Sequence, residues 1–362
     1  MSDSRAEHEF QQALAAIDAG ASDASALEKI AMLVEMALGL QQKPKSPTPL
    51  HNAVTLYDRA LELCPSGEAL LAARLHARKA SALRAIPGPG LESLQRARAE
   101  LEWAIPAFGE HGASGEEVAD AEMSLGVVLH ALAGAGAAKL TDAIAAYQRA
   151  TRVFDRRRYP REFAILQNNL ATAYLSLPML DERAKLREAL AVQAFSEALA
   201  VVSLVDDPVE FAMLQNNLGN ALQYAASGHP LQNGLRALEA YDAALKVRNV
   251  RDTPIEYANT IANKANCLRN LPDEVQRPEA GNRARLREAA ALYAQATRLF
   301  RSYGELDKAE LVERATAEVL LELGSDGAES GLSDGMPSVG MLSGGTLSSP
   351  EPEFGVSRVR EG

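Results

Sequence analysis

One thirteen-residue segment recurs along the chain and constrains its fold more than any other feature. Glu210 to Leu222 reads EFAMLQNNLGNAL, and close copies stand at Glu162 to Tyr174 (EFAILQNNLATAY) and Glu256 to Leu268 (EYANTIANKANCL). Fainter copies lie at 117–129 and 71–83, so that successive copies begin 45 to 48 residues apart. Such a period is typical of helical-repeat proteins, in which each helix pair buries its apolar face only by stacking on its neighbours.

A second motif alternates with the first and predicts the second helix of each pair. It places an alanine, a bulky ring four residues later and another alanine three residues after the ring, as in Ala237, Tyr241 and Ala244. These offsets put the three side chains on one helical face, where the small residues let a neighbouring helix approach and the ring fills the remaining space. The other copies are Ala53/Tyr57/Ala60, Ala143/Tyr147/Ala150, Ala191/Phe195/Ala198 and Ala289/Tyr293/Ala296, with Ala97/Leu101/Ala104 as a degenerate member.

The segment 217–221 (NLGNA), followed by Ala237, Tyr241, Ala244 and Leu245, resembles the tetratricopeptide repeat family. The resemblance implies an all-α fold, a right-handed α-solenoid of stacked antiparallel helix pairs that forms a superhelix. Members of this family mostly supply interaction surfaces, so the resemblance also implies a protein or peptide partner. It covers about three quarters of the chain.

The spacing departs from that family, whose period is about 34 residues. Pro160, Pro208 and Pro254 each lie ten residues after the last alanine of the preceding second motif. We therefore expect a second helix that is longer by a turn or more, with the rest of the excess in the loop between helices.

Composition favours a cytoplasmic protein without a membrane span. The net charge of -11 argues against binding to nucleic acid, because neutralising phosphates requires a basic face. No long apolar run indicates a transmembrane helix, and the start MSDSRAEHEF lacks the layout of a signal peptide. The two cysteines lie in distant repeats, which argues against a disulfide and against a cysteine-based metal site.

Three regions are predicted along the chain. Residues 1–50 should form N-terminal helices that cap the array, and residues 51–323 should hold the helical repeats and a closing helix. Residues 324–362 are dense in glycine, serine and proline, which predicts a disordered tail. That tail is either inert or carries a docking motif within 351–360.

The sequence shows no sign of catalysis. An active site needs converging nucleophiles, bases or metal ligands, whereas the six histidines are scattered without ligand spacing. No HExxH, P-loop, GxGxxG or GxSxG motif is present. We therefore predict no enzyme activity, no cofactor and no metal.

One basic cluster interrupts the acidic chain. Its arginines either complement the carbonyl end of a helix, where cations are favoured, or form a docking patch for an acidic partner. They are Arg149, Arg152, Arg156, Arg157, Arg158 and Arg161.

Polar residues on the first helices predict a ligand groove. Leu218, Gly219 and Leu222 should face the partner helix, so the asparagines beside them should lie on the other side, which lines the concave groove in the family. A carboxamide donates and accepts, so a ladder of amides could hold the main chain of an extended peptide. The alternative is that these amides bond loops or the next helix. The predicted groove residues are Asn168, Asn169, Thr172, Asn216, Asn217, Asn220, Gln223, Tyr224, Asn259, Asn263, Asn266, Arg269 and Asn270.

These features together predict a non-catalytic scaffold or adaptor that binds a peptide segment or a partner protein in the groove. Two alternatives remain open at this point. One is a sensor or regulator that responds to a small peptide, and the other is a non-catalytic subunit of an enzyme complex.

Overall fold

The computed structural model describes residues 10–11, 14–15, 25–42, 44, 46–88, 90–177, 183–225 and 229–325. Every regular element within these ranges is helical. A short 3-10 turn, Pro278–Ala280, precedes the last two helices. The α-helices are α1 (Ala26–Gln41), α2 (Thr48–Leu63), α3 (Ala69–Ala85), α4 (Glu92–Glu110), α5 (Gly115–Gly134), α6 (Leu140–Ala150), α7 (Pro160–Ser176), α8 (Arg183–Leu199), α9 (Pro208–Gln223), α10 (Pro230–Ala244), α11 (Pro254–Arg269), α12 (Arg283–Ser302) and α13 (Leu306–Ser325).

The chain divides into two compact units, and the division falls between Arg158 and Tyr159. Unit 1 holds α1 to α6 and unit 2 holds α7 to α13. Within each unit every helix packs on the next one in the chain, and the first helices of neighbouring pairs also meet, as α3 with α5 and α9 with α11. The predicted all-α solenoid of stacked helix pairs is therefore confirmed.

Other predictions about organisation are not decided by these observations. The right-handed sense of the solenoid and the division at residues 50 and 323 stay predictions. Residues 326–362, which hold nearly all of the predicted tail, lie outside the described residues, as do most of residues 1–24 of the predicted N-terminal region.

The two sequence motifs form the core. The alanine at the third position of every thirteen-residue copy is buried. The rings of the second motif are buried as well, and Tyr57, Tyr241 and Tyr293 are completely enclosed. Gly219 of α9 lies directly against Tyr241 of α10. The pairing of first and second helices inferred from the spacing is thus correct.

Hydroxyl groups of the buried tyrosines bond to amides of the first helices, which the motif alone did not indicate. Tyr241 Oη donates to Asn220 Oδ1 at 2.7 Å and lies 3.0 Å from Gln223 Oε1. Tyr293 Oη donates to Asn266 Oδ1. Because a buried hydroxyl without a partner is costly, these amides let a tyrosine take a place that phenylalanine occupies in α8.

Part of the extra length of the repeat lies in three connections between one pair and the next, 151–159, 200–207 and 245–253. Helices α6, α8 and α10 end at Ala150, Leu199 and Ala244, so the prediction of a longer second helix is wrong for them. Helices α4 and α12 do extend well past their motif alanines.

The three connections share a side-chain-capped turn, whose capping residue comes four or five residues after the end of the preceding helix. Asp155 Oδ1 accepts from the backbone N–H groups of Arg157 and Arg158, at 2.8 and 3.1 Å. Ser203 and Asn249 make the same pair of bonds at the equivalent positions. Short polar side chains favour turns because they bond nearby backbone groups in place of a helical carbonyl. A proline five residues later then begins the next first helix in each repeat.

Candidate peptide-binding face of unit 2

The structure places all thirteen predicted groove residues on the first helices α7, α9 and α11 of unit 2 or immediately after them. Residues that line an open groove should be accessible to solvent, and eight of the thirteen are not. These eight are Asn168, Asn169, Thr172, Asn216, Asn217, Asn220, Asn259 and Asn263, which are all buried.

Buried amides connect one first helix to the next. Asn217 Nδ2 of α9 donates to Asn168 Oδ1 of α7 at 3.2 Å. The equivalent bond joins the next two helices, where Asn263 Nδ2 of α11 donates to Asn216 Oδ1 at 3.3 Å. The repeated asparagines of the sequence therefore form an amide ladder within the protein. These amides bond the next first helix, as the alternative to peptide binding predicted.

The ladder does not pair every polar atom around it. Thr172 Oγ1 on α7, Asn216 Nδ2 on α9 and Asn259 Oδ1 on α11 are buried and have no hydrogen-bond partner among the described residues. Buried polar atoms are usually paired, so such a set on three neighbouring helices is unusual. The atoms are enclosed, however, and a ligand would reach them only if neighbouring side chains moved.

Five predicted residues remain accessible, and they lie together. Tyr224 and Asn270 are exposed, whereas Gln223, Asn266 and Arg269 are half-buried. All five belong to the C-terminal ends of α9 and α11, two helices in direct contact. The accessible part of the predicted groove is thus one patch, which we call the C-terminal patch.

Tyr224 is the most exposed large side chain of the C-terminal patch, with 57% of its surface open. Burial of the hydroxyl end raises the pKa of Tyr224, and the nearby Cys267 thiol raises it further. More than half of Tyr224 is therefore open to a ligand. Asn270 Nδ2 bonds the carbonyl of Asn266 on its own helix at 2.9 Å.

The single cation of the C-terminal patch is held by the closing helix. Arg269 Nη1 lies 2.8 Å from Glu318 Oε2 of α13, and its guanidinium also contacts Glu322. Burial alone would lower the pKa of Arg269, but the two carboxylates raise it overall. Glu318 and Glu322 were not among the predicted residues: their spacing of four places both on one face of α13, but it does not indicate that this face meets α11.

The predicted arginine patch has two kinds of member. Arg149 makes a two-pronged ion pair with the buried Glu122, at 2.6 and 2.7 Å, and is therefore held within unit 1. Arg152, Arg156, Arg157 and Arg158 are exposed in and before the turn at Asp155. Arg161 is exposed on α7 in unit 2.

No described helix combines the length and the apolar character needed to cross a membrane. Among the described side chains, no three histidine, cysteine, aspartate or glutamate residues come together in a way that could hold a metal ion.

Comparisons with known proteins give similarity of fold alone. No protein-family model matches the chain, and no curated protein matches its sequence. Among solved structures, BtubC from P. vanneervenii is 16% identical, with a TM-score of 0.49 over 72% of this chain and 91% of that one. The Rap conjugation gene regulator of plasmid pLS20, solved with the Phr* peptide, is 15% identical, with a TM-score of 0.45 over 85% and 78%. The TPR2AB domain of yeast Sti1, solved with an HSP90 peptide, is 14% identical, with a TM-score of 0.28 over 80% and 98%.

None of these TM-scores reaches 0.5, so no ligand or activity is transferred from these proteins. The resemblance to the tetratricopeptide repeat family rests on the repeat motifs and the helix pairing, and it concerns the fold.

Proposed function

We propose that this chain is a non-catalytic interaction scaffold or adaptor, and that unit 2 binds a peptide segment of a partner protein at the C-terminal patch. This proposal rests on the position of the accessible predicted residues, which lie together at the C-terminal ends of α9 and α11. An exposed tyrosine beside amides suits peptide recognition, because the ring offers contact area and the amides both donate and accept.

The bonding of Arg269 restricts the class of ligand. Its guanidinium already has two carboxylate partners in Glu318 and Glu322, so a peptide carboxylate would have to displace them. The remaining groups, Gln223, Tyr224, Asn266 and Asn270, carry no formal charge. An uncharged stretch of main chain therefore fits the C-terminal patch better than an acidic terminus.

A selection experiment tests this proposal. A phage library of random peptides would be selected on the full chain, and the selected peptides would be titrated against Tyr224→Ala and against Tyr303→Ala. Tyr303 is a similarly exposed tyrosine in unit 2, at the end of α12, and serves as the matched control. We expect Tyr224→Ala to weaken binding about fivefold or more, as for a central interface residue, while Tyr303→Ala leaves it unchanged. Equal affinity of both variants and the wild type would refute the site.

The exposed arginines around Asp155 support a second, separate contact. Arg152, Arg156, Arg157 and Arg158 place several cations in one short segment of an otherwise acidic chain. We propose that they attract an acidic partner. Replacing the four by glutamine should slow association and flatten its dependence on salt, because exposed charges act mainly through long-range attraction.

A further inference from the structure

The single tryptophan of the sequence, Trp103, lies at the surface of unit 1 on α4. Its side chain is 47% exposed. The indole lies against the imidazole of His76 on α3, with ring centroids 4.0 Å apart and ring planes tilted by 38°. A large aromatic ring is thus kept at the surface with one neighbouring ring as its support.

His76 is itself held by a chain of charged groups that leads into the helix stack. Its Nδ1 atom contacts the carboxylate of Glu100, and Lys79 Nζ lies 2.5 Å from Glu100 Oε1. Lys79 Nζ also lies 2.6 Å from Asp58 Oδ1 on α2. Lys79 is buried, and a buried cation keeps its place only when it is paired, so this chain of contacts is firmly positioned.

This arrangement orients Trp103 before any partner arrives. An unsupported surface indole would lose conformational freedom on binding, and a ring that is already oriented loses less. Tryptophan is also among the residue types that most often dominate the energy of protein interfaces.

The charge beside Trp103 points to the kind of partner. In this set the two carboxylates of Asp58 and Glu100 outnumber the one ammonium group, that of Lys79. An aromatic face beside carboxylates attracts a guanidinium or ammonium group through both the ring and the charge.

A second negative region follows on the same helix. Glu110 is exposed seven residues after Trp103, and residues spaced by seven share a face of a helix. It is the last residue of α4, and the last turn of this helix holds no basic residue. The carbonyl end of a helix is itself partly negative, so this end of α4 favours a cation supplied from outside.

The distance between the two regions sets the spacing of the partner's cations. Seven helical residues place Trp103 and Glu110 about 10 Å apart along α4. A peptide in the extended polyproline II conformation rises about 9 Å in three residues, which is one full turn, so that side chains three positions apart point to the same side. Two basic side chains three positions apart could therefore reach the indole and the Glu110 carboxylate together.

We propose that Trp103 and Glu110 form a docking site for two arginine or lysine side chains on an extended basic segment of a partner protein. His76, Glu100, Lys79 and Asp58 are not assigned direct contacts with that partner. They position the indole.

The probe is a tetra-arginine peptide with blocked ends, and its control is the same peptide with citrulline in place of arginine. Citrulline keeps the shape of arginine and removes its charge. Titrated into the full chain, the arginine peptide should change the emission of Trp103, and the citrulline peptide should not. This readout is specific to the site because the chain has no other tryptophan.

Fluorescence anisotropy of a fluorescein-labelled copy of the peptide supplies the affinities. Trp103→Ala should weaken binding about two- to fivefold, the size expected for an exposed cation–π contact. Glu110→Gln keeps the ring and should weaken binding about twofold.

Each variant has a matched control in unit 2. Tyr303→Ala removes an exposed ring there, and Glu279→Gln removes one exposed negative charge, the same change in net charge as Glu110→Gln. Both controls should leave the affinity unchanged. They separate the proposed site from a general attraction between a basic peptide and an acidic chain.

Three results would overturn the proposal. The first is wild-type emission that does not respond to the arginine peptide. The second is a citrulline peptide that binds as tightly as the arginine peptide. The third is an affinity that Trp103→Ala lowers no more than Tyr303→Ala does, or that Glu110→Gln lowers no more than Glu279→Gln does.

Discussion

Gly219 of α9 faces the ring of Tyr241 on α10 so closely that a Cβ atom on the glycine would lie 2.6 Å from Cε1 of the ring. Tyr241 is fully buried and bonds Asn220 and Gln223 through its hydroxyl, so the ring has little room to move. We expect Gly219→Ala to destabilise the chain by about 1–3 kcal/mol through overpacking, although alanine favours helix. Urea unfolding of the purified variant measures this change.

Gly39 provides the matched control for that substitution. It also lies within a helix, α1, but a Cβ atom there would meet nothing within 4 Å. Gly39→Ala should therefore stabilise the chain by about 0.5–1 kcal/mol, since alanine restricts the unfolded state. If both variants gained stability, the close contact of Gly219 with Tyr241 would be wrong.

The amide ladder predicts a loss of stability when one of its donors is removed. Asn217→Ala deletes the bond to Asn168 Oδ1 and leaves that buried oxygen without this donor. We expect a cost of about 1–3 kcal/mol in the free energy of unfolding. Asn270→Ala is the control, because Asn270 is exposed and bonds only a carbonyl of its own helix among the bonds described above. Equal stability of the two variants would mean that the ladder contributes nothing to the fold.

The sequence predicted the pairing of the helices but not the burial of the asparagines. The period and the contact of Gly219 with Tyr241 follow from small and large residues at fixed offsets, which is local information. Whether Asn217 meets solvent depends on how closely α7 and α9 approach, and that distance depends on all the side chains between them. The pairing of Arg269 with Glu318 was equally hidden, because it joins residues of α11 and α13 that are 49 positions apart.

Stability should depend on pH through Glu117, which lies in the first turn of α5 and bonds Arg74 of α3 at 2.6 Å. The hydrogen bond from Arg74 lowers the pKa of Glu117, burial opposes this, and a backbone bond from Ser114 adds to the lowering. The ionised form is thus favoured in the folded state. Its contribution is complete above the ordinary value of 4.5 and is lost as the pH falls through the lower folded value.

Glu117→Gln should accordingly be less stable than the wild type near neutral pH, and the two should converge once the pH falls below the lowered pKa of Glu117. Urea unfolding at a series of pH values measures the difference. Glu28→Gln is the control, since Glu28 forms the same capping box with Ser25 at the start of α1. If the difference in stability between the wild type and Glu117→Gln did not change with pH, the interaction of Glu117 with Arg74 would not be its cause.

Two buried threonines give opposite predictions for the same substitution. Thr260 Oγ1 of α11 donates to the carbonyl of Glu256 at 2.9 Å and accepts from Arg248 Nη1 at 2.8 Å. Thr172 Oγ1 of α7 is buried without a partner among the described residues. Valine has nearly the shape of threonine, so each substitution removes a hydroxyl with little change in packing.

Thr260→Val should cost about 1–3 kcal/mol in the free energy of unfolding, because it leaves the guanidinium of the buried Arg248 without this acceptor. Thr172→Val should leave stability unchanged or raise it, because it removes the cost of an unpaired buried hydroxyl. Thermal and urea unfolding of both variants decide the matter, and a loss of stability in Thr172→Val as large as that in Thr260→Val would show that the Thr172 hydroxyl is paired.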